Sequence, residues 1–199
     1  MFIELTDHLR CPEDHPESFL VLLPDEVRER RVISGTLGCP VCGRVVPVAD
    51  GRVDFGGGDQ AAPGHPDTGL GAEGVAVLLA LSGPGGYVAL VGAVGGIVER
   101  LAPLLEGIGI VLVNPPRCTT GENAAGVFSA GRLPLKSSCL RGIVLSAAFA
   151  RPDWVEAAAR ALLPGYRIVV EGGEAPVEFV EELARSPQAW VGVRKKREP

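Results

Sequence analysis

The sequence lacks any apolar run of the about 20 residues that a helical membrane span requires. Residues 75–98 come closest, and Ser82-Gly83-Pro84-Gly85-Gly86 interrupts them in the middle. It has no excess of positive charge: 19 Lys and Arg stand against 24 Asp and Glu, a formal net charge of −5. Broad electrostatic capture of nucleic acid is therefore not expected, and RNA is a partner that the charge does not indicate. The basic cluster Arg194-Lys195-Lys196-Arg197 reads as a solvated tail, with a phosphate-contacting tail as the second reading. Glu4, Asp7 and His8 do not form a basic-then-apolar signal pattern, so a cytoplasmic address is the expectation. Internal repeats are absent too. Five cysteines make an odd number, and in that compartment disulfides are not expected, which leaves Cys118 and Cys139 as reduced, buried thiols.

What is present is an ordinary soluble composition, 46% hydrophobic and 22% charged over 199 residues, enough for a small module and one domain. The 27 Gly and 17 Pro punctuate apolar runs instead of forming a low-complexity tract. The chain changes character near residue 56. Short apolar pieces and most of the metal-type ligands occupy 1–55. Residues 56–73, beginning Gly56-Gly57-Gly58, carry no periodicity and read as a linker. From 74 to 199 helical and strand-like runs alternate, as a mostly parallel α/β sheet with flanking helices requires. The pattern predicts helices over Gly74–Ser82, Ile97–Leu105, Pro152–Leu163 and Pro176–Arg185. Strands are predicted at Tyr87–Val91, Ile110–Val113, Gly126–Ser129, Gly142–Leu145, Tyr166–Glu171 and Trp190–Arg194.

A closed tetrahedral zinc site needs two short chelating pairs. Gly38-Cys39-Pro40-Val41-Cys42-Gly43 supplies one: a two-residue spacing turns both sulfurs inward, and the flanking glycines permit a left-handed knuckle. Cys11-Pro12 repeats the Cys-Pro start of that knuckle, which makes Cys11 the third ligand. The fourth is His15 or Asp14; imidazole beside three thiolates suits zinc better than a carboxylate, so His15 is favoured. The competing reading of Cys39 and Cys42 as a redox dithiol wants a strand-to-helix context, whereas these cysteines lie in a turn between extended segments.

The pattern Leu5-x5-Cys11-Pro12, then Gly38-Cys39-Pro40-x-Cys42-Gly43-x2-Val46-Pro47-Val48-x-Asp50-Gly51-Arg52-Val53, resembles the zinc-ribbon methyltransferase-activator family. It is similar as well to the zinc head of certain rRNA guanine methyltransferases. The resemblance covers the first quarter of the chain and implies a zinc ribbon and a protein partner, a methyltransferase or another enzyme subunit. The remainder resembles a Rossmann-like class I S-adenosylmethionine-dependent methyltransferase. The blocks that carry this are Leu78–Gly92, Leu133–Ser146 and Trp154–Glu171.

That second resemblance implies a cofactor turn, Leu90-Val91-Gly92-Ala93-Val94-Gly95-Gly96, with Gly92, Gly95, Gly96 and Asn114 as the cofactor-binding residues. The sequence departs from the family there. Leu90 stands where the family carries an acid, Val94 where it carries the central glycine, and Asn114 where an acid accepts from the ribose hydroxyls. Three weakened positions in one site imply a degenerate, scaffold-like domain, a pseudoenzyme. The alternative is an active methyltransferase acting on RNA, protein or a small molecule. Asn114-Pro115-Pro116 follows the second strand and precedes Arg117, so it reads as a stiffened loop and not as an amide-binding motif. No catalytic acid, base or nucleophile stands out: Ser146 reads as a strand cap, and Trp154 and Trp190 as packing residues.

Overall fold

A computed structural model describes residues 1–56, 68–116, 124–176 and 178–196. Most of the expected linker, and with it His65, therefore lies outside the described residues, as do Cys118 and Arg197.

Alternation builds the first quarter. Strands β1 (Val21–Arg28), β2 (Arg31–Gly38), β3 (Val45–Ala49) and β4 (Arg52–Asp54) form an antiparallel meander. Along β3, Val46 and Val48 are buried while Val45, Pro47 and Ala49 face water, the period of two that a half-solvated sheet imposes. A 3-10 turn at Ile3–His8 packs Leu5 beneath this meander.

Continuous apolar runs build the rest. β5 (Tyr87–Val91), β6 (Gly109–Val113) and β8 (Leu140–Leu145) are buried through nearly their whole length, because both faces of a parallel sheet are covered. β7 (Ala124–Phe128) and β9 (Leu162–Glu171) flank them. The order β7-β6-β5-β8-β9 is the doubly wound arrangement, with its reversal point between β5 and β8. β11 (Ala189–Arg194) runs antiparallel beside β9, and β10 (Val180–Arg185) closes the edge antiparallel to β11. Helix α3 (Pro152–Ala161) covers one face, on which Trp154, Ala158, Val91, Ile143 and Trp190 share a core. Helices α1 (Ala72–Leu79) and α2 (Val98–Leu101) cover the other, over Leu90, Ile110 and Val144.

The meander and the parallel strands form one sheet. β4 pairs parallel with β7 through Val53 opposite Val127 and Asp54 opposite Phe128, giving eleven strands among the described residues. Phe55 N–H extends the pairing to the Phe128 carbonyl at 2.8 Å. The mixed α/β architecture with a largely parallel central sheet is thus as expected.

Two elements differ from expectation. The helix expected over Ile97–Leu105 is a 3-10 turn at Gly92–Ile97, the four residues of α2, and a second 3-10 turn at Ala102–Leu104. Pro103 lacks the N–H that a longer α-helix would need there. Where a helix is expected over Pro176–Arg185, residues Val180–Arg185 form the edge strand β10.

Candidate functional site

The structure brings Cys11, His15, Cys39 and Cys42 together, with all four ligand atoms within 4.8 Å of one another. Backbone geometry explains the second knuckle. Gly43 N–H returns to the Cys39 carbonyl at 2.9 Å, and Gly43 adopts φ +73, which a side chain would resist. The first knuckle is held by Arg10, whose guanidinium donates to the carbonyls of Cys11 and His15. It is also tied to the far part of the chain. Arg10 N–H donates to the Pro134 carbonyl at 3.0 Å, and Leu9 bridges Leu135.

The distances fit a four-coordinate divalent ion. Cys11 Sγ and Cys42 Sγ lie 3.8 Å apart, far from the about 2.05 Å of a disulfide. A tetrahedral ion with metal–sulfur bonds of about 2.3 Å sets its sulfurs about 3.8 Å apart. Cys39 Sγ and His15 Nε2 are 3.3 Å apart. His15 Nδ1 lies 2.8 Å from the Pro16 carbonyl, so that nitrogen carries the proton and Nε2 keeps a lone pair toward the cluster. Asp14 turns away: its side chain is 92% exposed and pairs with Arg132. The thiols sit in unequal fields. Burial pushes the Cys11 thiol up to about 11. Burial raises Cys39 as well, but N–H groups of Cys42 and Val41 and the adjacent thiols outweigh it and bring Cys39 down to about 7. A divalent ion bound here would offset the cost of deprotonating Cys11.

A crevice lies at the carboxyl ends of β5, β6 and β8, where open α/β sheets bind ligands. Gly92 takes φ +79 and ends β5, as the turn requires. Atoms of the Phe149 ring lie 2.6 and 2.7 Å from where a Cβ on Gly92 would stand, so the ring packs directly against this glycine. Pro115 Cβ is 3.1 Å from the corresponding point on Gly95. Gly96 meets only Pro116, at 4.0 Å. Val94 is fully buried, and its N–H donates to Ser146 Oγ at 2.8 Å. Ser146 in turn donates to the Val91 carbonyl at 2.9 Å, so its hydroxyl ties β5 to β8. Asn114 faces inward along the sheet. Its amide donates to the Ser129 carbonyl and its Oδ1 accepts from Ser129 N–H, both at 2.8 Å. Leu90 is buried. At the neighbouring strand end, Glu171 accepts from Thr68 Oγ1 and Gly69 N–H at 2.7 Å each, fastening that segment across the edge. The sequence singled out the glycines, Val94 and Asn114; it gave no sign of Phe149, whose role appears only once the turn after β8 is placed.

A third feature is a solvent-facing apolar strip. Register sets Val21, Gly38 and Val45 side by side, and Leu23, Thr36 and Pro47 in the next row on the same face. Leu23 and Val45 are 64% and 63% exposed, and Phe19, just ahead of β1, is 60% exposed.

No protein-family model matches the chain, and no curated protein matches it by sequence. Solved structures do. A chain from a complex between the Haloferax volcanii Trm112 methyltransferase activator and a candidate methyltransferase superposes with a TM-score of 0.48 at 12% identity, over 64% of this chain and 90% of that one. A SAM-dependent methyltransferase from Aquifex aeolicus gives 0.41 at 13% identity, over 56% and 82%. Geranyl diphosphate C-methyltransferase from Streptomyces coelicolor, in complex with S-adenosyl-L-homocysteine, gives 0.42 at 15% identity; the chain spans 43% of its length. Among the described residues no helix is long and apolar enough to cross a membrane.

Proposed function

We propose that this chain is a zinc-stabilised, methyltransferase-like protein that works as a binding scaffold and does not transfer methyl groups. The observation that supports the reading is the packing of the turn after β5. Phe149 lies against Gly92, Val94 is buried in the turn, and Asn114 is engaged with Ser129, so S-adenosylmethionine does not fit these residues. No methyl-transfer step is derived for them.

Zinc fits the other site. Cys11, Cys39 and Cys42 would hold it as thiolates and His15 through Nε2, with Nδ1–H on the Pro16 carbonyl as the supporting contact. Four protein ligands leave no open position, so the ion's part is structural. A protein partner is the expected client of the scaffold. The apolar strip of Val21, Leu23, Val45 and Pro47 supports this, because contiguous exposed apolar surface marks interaction sites.

Metal analysis together with thermal unfolding tests the reading. The purified protein is expected to carry one zinc per chain and to show the same midpoint with and without saturating S-adenosylmethionine or its demethylated product. A ligand at a hundred times its Kd stabilises by about 2.7 kcal/mol, which shifts a domain of this size by several degrees. Such a shift would return the chain to the methyltransferase reading.

A further inference from the structure

A cleft of about 550 Å³ lies at the amino ends of β5 and β6, the opposite end of these strands from the Gly92 crevice, with the turn between β1 and β2 on its rim. We propose that it binds a small planar aromatic ring that carries N–H donors.

The floor is backbone. Gly85 N–H donates to the Gly107 carbonyl at 2.7 Å and Gly109 N–H to the Gly86 carbonyl at 3.0 Å, so four glycines lace the entries to β5 and β6 together. Side chains are excluded at two of them. A Cβ on Gly109 would stand 2.5 Å from the Tyr87 ring, and one on Gly107 would stand 2.6 Å from Pro84. The result is a surface of peptide groups beside three apolar side chains, Phe2, Tyr87 and Ile108. The Phe2 and Tyr87 rings are 6.5 Å apart and inclined at 53°. Aromatic rings pack well against flat bodies, and the volume is that of a small-molecule site.

The rim supplies the polar groups. In the turn between β1 and β2, Glu29 takes φ +45 and Arg30 φ +64, left-handed at both central positions, where glycine or asparagine is the usual occupant. Two contacts hold it there: Ile3 N–H donates to the Arg30 carbonyl at 3.0 Å, and Phe2 bridges Arg31. The charges around the cleft are partly engaged. Arg30 is closed against Glu4, and the Arg31 guanidinium lies 4.5 Å over the Phe2 ring. The Glu29 carboxylate has no hydrogen-bond or ion-pair partner among the described residues, and neither has the Tyr87 hydroxyl. Burial, and after it the Glu4 carboxylate, pushes the Tyr87 hydroxyl above its ordinary value, so it keeps its proton and can donate. The cleft thus offers one charged acceptor and one neutral donor between apolar walls. A hydrogen bond to an ionised acceptor is about twice as strong as one between neutral groups, which makes N–H donors on the ligand the selecting feature.

Titration of the purified full chain with benzamidine, benzamide and benzoate, three flat rings that differ in one substituent, tests the proposal. Calorimetry gives the affinity, and the amide resonances of Gly85, Gly86, Gly107 and Gly109 give the place. Benzamidine is expected to bind with a Kd of about 1 mM or tighter and to shift those four resonances. Glu29→Gln should weaken benzamidine at least about fivefold while leaving benzamide and the unfolding midpoint unchanged, since the side chain is exposed. Tyr87→Phe keeps the ring and removes the donor, so it should weaken benzamide, which has a carbonyl to accept, more than benzamidine, which has none. Benzoate binding as tightly as benzamidine, an affinity that Glu29→Gln leaves intact, shifts confined to other residues, or no binding at all overturns the proposal.

Discussion

At the residue scale the metal cluster turns on one choice the spacing left open. Asp14 and His15 are adjacent, and only three-dimensional placement separates them: Asp14 pairs with Arg132 in solvent, while His15 Nε2 meets Cys39 Sγ. Replacing His15 with Ala should cost more zinc affinity than the about 10–100-fold lost with a supporting group, whereas Asp14→Ala removes a surface pair of about 1 kcal/mol at most and should leave zinc bound. Competition with a chromogenic chelator measures both, and equal losses would reverse the assignment. Cys139 behaves differently from the cluster. Burial pushes its thiol up to about 12, and its S–H donates to the Lys136 carbonyl at 3.0 Å. Its thiolate fraction at pH 8 is then about a thousandfold below that of a thiol with the ordinary value of 9. Mass-spectrometric mapping after alkylation of the native protein at pH 8 should find Cys139 unmodified, and denaturant should expose it. The sign follows from the raised value: protection persists through neutral pH and fades only as pH climbs toward 12.

At the element scale, what could be read depended on whether local pattern and tertiary contact agreed. The buried strands β5, β6 and β8 were legible because a run such as Val88-Ala89-Leu90-Val91 has no other stable place than a sheet covered on both faces. The Cys39–Cys42 knuckle was legible because its chemistry is local. Val180–Arg185 was not. Glu181-Glu182-Leu183-Ala184-Arg185 behind Pro176 consists of helix formers, and its strand state is imposed by pairing with β11, an interaction distant in pattern though close in sequence. Its Glu181, Glu182 and Arg185 side chains are exposed, and an edge strand with charge and a register shift after Glu182 resists pairing with other molecules. Phe149 was hidden for a similar reason: nothing local marks a residue whose ring packs against a glycine turn from a distant segment. Gly192 tests the hairpin. A Cβ there would strike Val180 Cγ1 and come within 3.0 Å of the Glu181 carbonyl and 3.2 Å of the Trp190 ring. Gly192→Ala should therefore destabilise by about 1–3 kcal/mol in urea unfolding. An unchanged midpoint would mean that β10 does not lie against β11 as described.

At the scale of the whole molecule, the antiparallel meander and the parallel strands are one sheet. β4 adds to β7 edge to edge, and Leu5, Leu9, Val53 and Phe55 share a core with Val111, Val127 and Leu135. The loop before β8 clasps the first knuckle from the other side, where Lys136 N–H donates to the His8 carbonyl at 2.9 Å and Ser137 binds Glu17. An edge of the parallel sheet that would otherwise invite pairing is thereby covered within the chain. It follows that the metal should stabilise more than the quarter of the chain that holds it, since ligands ordered by the ion also order β4 and its contacts with β7. Both tryptophans, Trp154 and Trp190, lie in the α/β part and are buried, so their fluorescence reports on that part alone. Chelation of the metal should lower the urea midpoint read by tryptophan, by a free energy of at least about 3 kcal/mol, a fraction of the 10–16 kcal/mol that structural zinc contributes to small domains folded by it. The intact protein should unfold in one transition by fluorescence and by far-ultraviolet circular dichroism alike. Were the tryptophan midpoint unmoved by chelation while the circular dichroism changed, the meander would be unfolding by itself, and the strand pairing of Val53 with Val127 would contribute little to holding the two parts together.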